Sequence, residues 1–132
     1  VNRAISAAVA ALLLATANTA QADAMFRTAP SGKTTRMITY KAWKRSDCSA
    51  DIGVVKVVSK PAHGTLTPRP GVAATIGKNR VGRDNSCMGR PITGFQVDYR
   101  SNPGYRGTDT FVIETTFGKR SMVVDTFTVT VE

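Results

Sequence analysis

Residues 99–111 read YRSNPGYRGTDTF and lie between two alternating runs. Upstream, 94–99 (GFQVDY) puts Phe95, Val97 and Tyr99 on one side. Downstream, 111–117 (FVIETTF) sets Phe111, Ile113, Thr115 and Phe117 against Val112, Glu114 and Thr116. Alternation of period two marks half-buried strands, so the stretch between them reads as a structured corner joining two strands. Asn102, Pro103, Gly104 and Gly107 shape its backbone, with Gly107 expected at a positive φ or in close packing. Asp109 is placed to accept hydrogen bonds from nearby backbone amides and fix the turn. Tyr105 is expected to bury its ring between sheets while its hydroxyl finds a backbone acceptor.

Working outward, 118–120 (GKR) makes a short connection into 122–131, where Val123, Phe127, Val129 and Val131 share one face. Two long alternating strands joined by a tight turn predict a hairpin with one core face and one wet face. Residues 52–59 (IGVVKVVS) form the most β-branched run of the first half and predict a buried strand. Residues 60–64 (KPAHG) turn the chain, 65–67 are extended, and 37–43 (MITYKAW) predict a first strand. Between them 45–51 is a polar loop carrying Cys48. Pro68, Pro70, Gly71, Gly77, Gly82, Gly89 and Pro91 punctuate the middle, which excludes a long helix and leaves short strands at 73–76 and near 80–82. Short strands between turn signals, with no helical period after residue 22, predict an all-β sandwich.

Two parts, KPAHGTLT (60–67) and YRSNPGYRGTDTFVI with TFTVTV, together resemble bacterial immunoglobulin-like and cadherin-like modules. Such modules show a proline-x-x-glycine-threonine turn, here Pro61, Gly64 and Thr65. An aromatic and a proline-bearing loop follow at Tyr99 and Pro103, then aromatic-x-Gly-x-Asp-x-Phe at Tyr105, Gly107, Asp109 and Phe111. A threonine–valine strand at 126–131 closes the pattern, while the basic, cysteine-bearing middle has no counterpart. The resemblance implies an immunoglobulin-like antiparallel β-sandwich of about seven strands over residues 36–132.

The chain begins with a charged start at Arg3, an apolar run over 5–17, and Ala20-Gln21-Ala22 as a small-x-small cleavage site. That pattern predicts a helical secretory signal peptide over 1–22, followed by a flexible lead over 23–35. The apolar run is too short for a membrane span, so no stable span is expected after cleavage. Export places the protein in the periplasm or outside the cell. There the pair Cys48 and Cys87 is expected to be oxidised, and two thiols without a nearby histidine make only half a zinc site.

Chemistry-bearing constellations are sparse. Asp109 with Asp98 and Glu114 supplies too few carboxylates for calcium, which takes about six to eight oxygens. The single histidine, His63, sits in a Pro-x-His-Gly turn without the nucleophile and orienting acid that catalysis needs. Asp47, Asp51, Asp84, Asp98, Asp109, Glu114 and Asp125 are scattered and show no spaced pair for acid–base work. No cofactor or metal is expected.

Charge is the one feature open to function. Residues 23–132 carry 17 basic against 9 acidic side chains. Arg69, Lys78, Arg80, Arg83, Arg90, Arg100 and Arg106 face only Asp84 and Asp98 within residues 69–106. Such density attracts polyanions by long-range steering. Export and the absence of a stacking row of aromatics argue against nucleic acid. The sequence thus predicts a non-catalytic module of the cell envelope, engaging an anionic or protein partner through a basic face or a sheet edge. The alternative is an exported enzyme or enzyme inhibitor using the Arg/Gly-rich middle as a reactive loop.

Overall fold

A computed structural model describes residues 21–80, 82–118 and 121–132. The expected signal peptide lies outside these residues except for Gln21 and Ala22, which open the first strand. Seven strands follow in order: β1 Gln21–Ala29, β2 Thr34–Tyr40, β3 Ile52–Ser59, β4 Gly64–Thr75, β5 Pro91–Ser101, β6 Gly107–Phe117 and β7 Ser121–Val131. They form a four-stranded sheet, β1-β7-β6-β3, and a three-stranded sheet, β2-β5-β4. The sheets pack face to face as a β-sandwich.

The core faces are those the alternation dictates. Phe111 and Ile113 of β6 and Phe127, Val129 and Val131 of β7 are buried against Met37, Tyr40, Val97 and Tyr99 of the opposite sheet. Phe111 stacks on Phe127 with ring centroids 4.6 Å apart, and Tyr99 lies 6.1 Å from Phe111. Gly64 must lack a side chain here, because a Cβ would stand 2.6 Å from the Tyr99 ring and 2.7 Å from Arg100 O.

Several expectations need correction. The lead over 23–35 is structured: β1 runs through it and pairs in parallel with β7, from Gln21↔Val123 to Ala29↔Val131. The sandwich therefore starts at Gln21 and is not wholly antiparallel. The first strand expected at 37–43 is β2 at Thr34–Tyr40, with a bulge between Arg36 and Ile38. Trp43 lies beyond it and makes only an isolated bridge to Ala50.

The proline-rich stretch is not a break either. β4 runs continuously to Thr75 along β5, interrupted by a bulge between Pro70 and Val72 where Gly71 takes φ +71°. An edge strand tolerates prolines because their missing N–H groups can face solvent. No strand forms near 80–82 among the described residues. The corner also shrinks: β5 and β6 extend into it, leaving residues 102–106 as the connection.

Two buried tyrosine–aspartate pairs cross between the sheets. At one end Tyr99 Oη of β5 donates to Asp109 Oδ2 of β6 at 2.7 Å. At the other, Tyr40 Oη of β2 donates to Asp125 Oδ2 of β7 at 2.7 Å.

Candidate anion-binding loop end

The two ends of the sandwich differ. One end holds the short connections 30–33, 60–63 and 102–106. The corner residues meet there. Asp109 accepts hydrogen bonds from the backbone N–H groups of Ala62 (3.0 Å), His63 (3.1 Å) and Thr110 (3.0 Å) as well as from Tyr99. The buried carboxylate thus ties β6 to the turn before β4. Tyr105 Oη donates to Thr108 O at 2.6 Å, but its ring is not a plug between sheets. It lies half-exposed and stacked flat on His63, centroids 4.0 Å apart, while Tyr99 fills the interior. Gly107 takes φ +133°, and a Cβ there would meet Tyr105 Oη at 3.1 Å.

The opposite end holds the long connections 41–51 and 76–90 and the short one at 118–120. The Cys48–Cys87 disulfide joins the two long loops. Cys87 and Ile76 are buried with Ile92 in a small second core, covered by Trp43, Cys48 and Ala74. Loops carry binding residues where a rigid scaffold positions them, and here a covalent link and a local core do so. A cleft of about 670 Å³ opens beside them, its lining combining the apolar Met25, Ile38 and Phe117 with the basic Lys41, Arg45 and Lys78 and the acidic Asp51 and Asp84.

Beneath the cleft, Asp125 is wholly buried between Tyr40 and Arg80. The Arg80 guanidinium grips both Asp125 oxygens and also reaches Asp23 Oδ2 of β1, at 2.9 Å from Nε and 2.5 Å from Nη2. Burial works against the Arg80 charge, but its hydrogen bonds to Asp125 and Asp23 outweigh that and raise its pKa. Burial, then the hydrogen bond to Asp125, raise the Tyr40 phenol well above its ordinary value. Arg80 is therefore an internal staple that pins the 76–90 loop across β1 and β7.

Two of the loops' three acids are committed as well, while Asp51 lines the cleft. Asp47 Oδ1 accepts from Ser49 Oγ (2.6 Å) and Ser49 N (3.0 Å), which holds its carboxyl below the usual range. Asp84 is held low by Ser86, whose N–H donates at 2.9 Å, and pairs with Arg45 at 2.5 Å. Lys44, Lys78, Arg83 and Arg90 have no acid within ion-pair distance among the described residues. Residues 41–51 and 76–90 together carry seven basic side chains against three acidic ones.

The seven basic residues singled out in the sequence do not form one patch. Lys78, Arg80, Arg83 and Arg90 sit in the 76–90 loop, with Arg80 consumed by Asp23 and Asp125. Arg69 and Arg100 lie on the outer face of the three-stranded sheet, Arg69 at 3.3 Å from Asp98 and Arg100 Nε donating to Gly32 O at 2.8 Å. Arg106 is in the 102–106 connection at the far end. Closeness in sequence did not become closeness in space because β5 carries the chain from one end to the other. Sequence reading missed Lys41, Trp43 and Arg45, which join the cleft from the other loop. It also missed Asp125, whose signal was present: it shares the period-two face of Val123, Phe127 and Val129. No protein-family model matches the chain, nor does any curated protein or any solved structure.

Proposed function

We propose that this chain is a single immunoglobulin-like module of the cell envelope, exported by a cleaved signal peptide, that binds an anionic ligand without catalysis. The periplasm, or the space outside the cell, is its compartment. The disulfide fits an oxidising, extracytoplasmic setting. The strand order supports the fold reading, because β1-β7-β6-β3 over β2-β5-β4 is the partition of a seven-stranded immunoglobulin-like sandwich with its first strand switched to the larger sheet. The residues of the resemblance, Pro61 through Gly64 and Tyr99 through Phe111, come together at the short-loop end.

One observation carries the binding role. The two longest connections share one end, are joined covalently, and present uncompensated cations beside a cleft with Trp43 and Phe117 on its wall. Seven basic side chains against three acidic ones, two of the acids committed to local partners, give a positive potential that favours anions, and the half-buried aromatics give the ligand's apolar part a surface. A surface of this kind weakens with salt as the Debye length falls below about 10 Å.

Retention on immobilised heparin, used as a generic polyanion, tests this. Lys78→Glu/Arg83→Glu/Arg90→Glu is expected to elute at clearly lower salt than Arg69→Glu/Arg100→Glu/Arg106→Glu, which makes the same charge change away from the loops. Equal shifts in the two triple variants would mean that only net charge matters, and the loop-end site would be refuted.

A further inference from the structure

Among the described residues, five large apolar side chains are markedly exposed, and three of them, Val54 (66%), Val57 (39%) and Val58 (54%), lie on β3. β3 is an outer strand of the four-stranded sheet. Alternate backbone N–H and C=O groups of an outer strand point away from its one neighbour and can template another strand. The other edges are blunted. β4 carries Pro68, Pro70 and a bulge, so part of its donor row is missing. β2 has a bulge, and β1 turns the charged Asp23 and Arg27 inward, Asp23 pairing with Arg80 and Arg27 donating to Met37 O at 2.9 Å. β3 has no proline and no acid, and its own register shifts, between Ile52 and Val55 and between Val57 and Ser59, leave the donor row of 55–57 regular. It is the edge left open.

Its sequence also states what fits there. Residues 54–58 read Val-Val-Lys-Val-Val, the same in both directions about Lys56. Antiparallel pairing of two copies about a two-fold axis through Lys56 sets Val55 against Val57 of the second copy on both sides of the axis, with the exposed Val54 and Val58 flanking this stretch at the register shifts. Cross-strand β-branched pairs are favourable units of sheet stability. The faces match too: Val55 and Val57 pair with Thr115 and Ile113 on the core side, while Lys56 lies opposite Glu114 on the outer side. The two lysines at the axis are a like-charge contact, offset by Glu114 on the adjoining strand of each copy. A row Glu–Lys–Lys–Glu would cross the joint.

We propose that β3 is a self-association edge, and that two copies of this chain join β3 to β3 into one continuous eight-stranded sheet. This stands apart from the anion-binding reading, whose loops lie at the end of the sandwich and not along this edge. Their salt dependence is opposite. Anion binding weakens as salt rises, whereas two copies of a strongly basic chain repel each other and associate better when salt screens them.

Sedimentation velocity on the intact protein from about 1 to about 200 µM, at low and high sodium chloride, tests the proposal. The expected result is a monomer–dimer equilibrium that shifts toward dimer at high salt. Val54→Lys/Val58→Lys changes only exposed side chains, keeps the fold by thermal melting, and should lower the association constant at least about tenfold by adding repulsion beside Lys56. Lys56→Val removes the like-charge pair and should tighten the dimer. A single-copy mass at about 200 µM in both salts would overturn the proposal. So would a dimer unaffected by the double lysine variant, or one that Lys56→Val weakens.

Discussion

Replacing Arg80 by methionine would remove the one cationic partner, among the described residues, of a carboxylate that has no access to water. Asp125 is 0% exposed and keeps only the Tyr40 hydroxyl, at 2.7 Å, once the guanidinium is gone. Breaking a buried ion pair from one side typically costs about 3–5 kcal/mol, because the remaining charge is left uncompensated. Arg80 retains 31% of its side-chain exposure and shares its charge with Asp23, so the lower end applies, about 3 kcal/mol. With a urea m-value near 2 kcal/mol/M, that moves the unfolding midpoint down by about 1.5 M. Equilibrium urea melts without reductant, followed by Trp43 fluorescence and far-UV circular dichroism, would measure it. The decisive comparison is Tyr40→Phe/Arg80→Met/Asp125→Leu, which removes the buried part of the cluster and leaves only the part-exposed Asp23. A buried ionic group replaced as a unit by apolar side chains is often neutral, so the triple variant should recover to within about 1 kcal/mol of the parent. If Arg80→Met costs less than about 0.5 kcal/mol, or the triple variant is worse than the single one, the staple does not exist as described.

The same pairs set a limit at high pH. Tyr40 and Tyr99 both have phenol pKa values raised in the fold, Tyr40 by burial and Asp125, Tyr99 by burial and Asp109. A raised folded value gives stability that is complete below the unfolded pKa near 10 and lost as pH climbs above it. Two such groups give a slope of about 2.7 kcal/mol per pH unit in that window, and Tyr40→Phe or Tyr99→Phe should each reduce it by about half; unchanged slopes in urea melts between about pH 10 and 11 would contradict this. The disulfide closes a loop with a sequence separation of 39. Cys48→Ala/Cys87→Ala should therefore lose about 4 kcal/mol by the chain-entropy estimate and lose the heparin preference of the loop end, whereas a loss below about 1 kcal/mol would mean the loops are held by packing alone.

What the sequence showed plainly was what repeats with period two among large side chains. β6, β7 and the tight turn between them follow from that pattern, whereas β3, read from a continuous β-branched run as a buried strand, is an edge strand with most of its residues exposed. β1 was hidden because only Met25 and Ala29 bring apolar atoms to the core, while Asp23 and Arg27 hold the other inward positions. Its backbone is satisfied by β7, a partner more than ninety residues away, and no local signal reports that. β4 was hidden by its prolines, whose strand-breaking effect depends on whether a position is central or at an edge. At the loop end the difficulty was the reverse. Arg80 looked like one more surface cation, because its partners Asp23 and Asp125 are brought to it only by the sheet.

The two tyrosine–aspartate pairs explain why the two ends of the sandwich are held differently. Each carries a buried carboxylate that must be neutralised or hydrogen-bonded to be tolerated. Asp109 meets this with three backbone N–H groups from β6 and the adjoining turn, donors whose positions are fixed by the main chain. Asp125 meets it with a flexible side chain from a fifteen-residue connection, 76–90. Backbone donors leave the short-loop end with one arrangement. An arginine can release one acid, follow its loop or exchange a carboxylate for a ligand's anion, so the same electrostatic demand is met in a form that can respond. The disulfide limits how far that response can travel by holding 76–90 to 41–51 at Cys48 and Cys87. A scaffold rigid at one end, with loops covalently limited but electrostatically latched at the other, is the arrangement on which the proposed binding role rests.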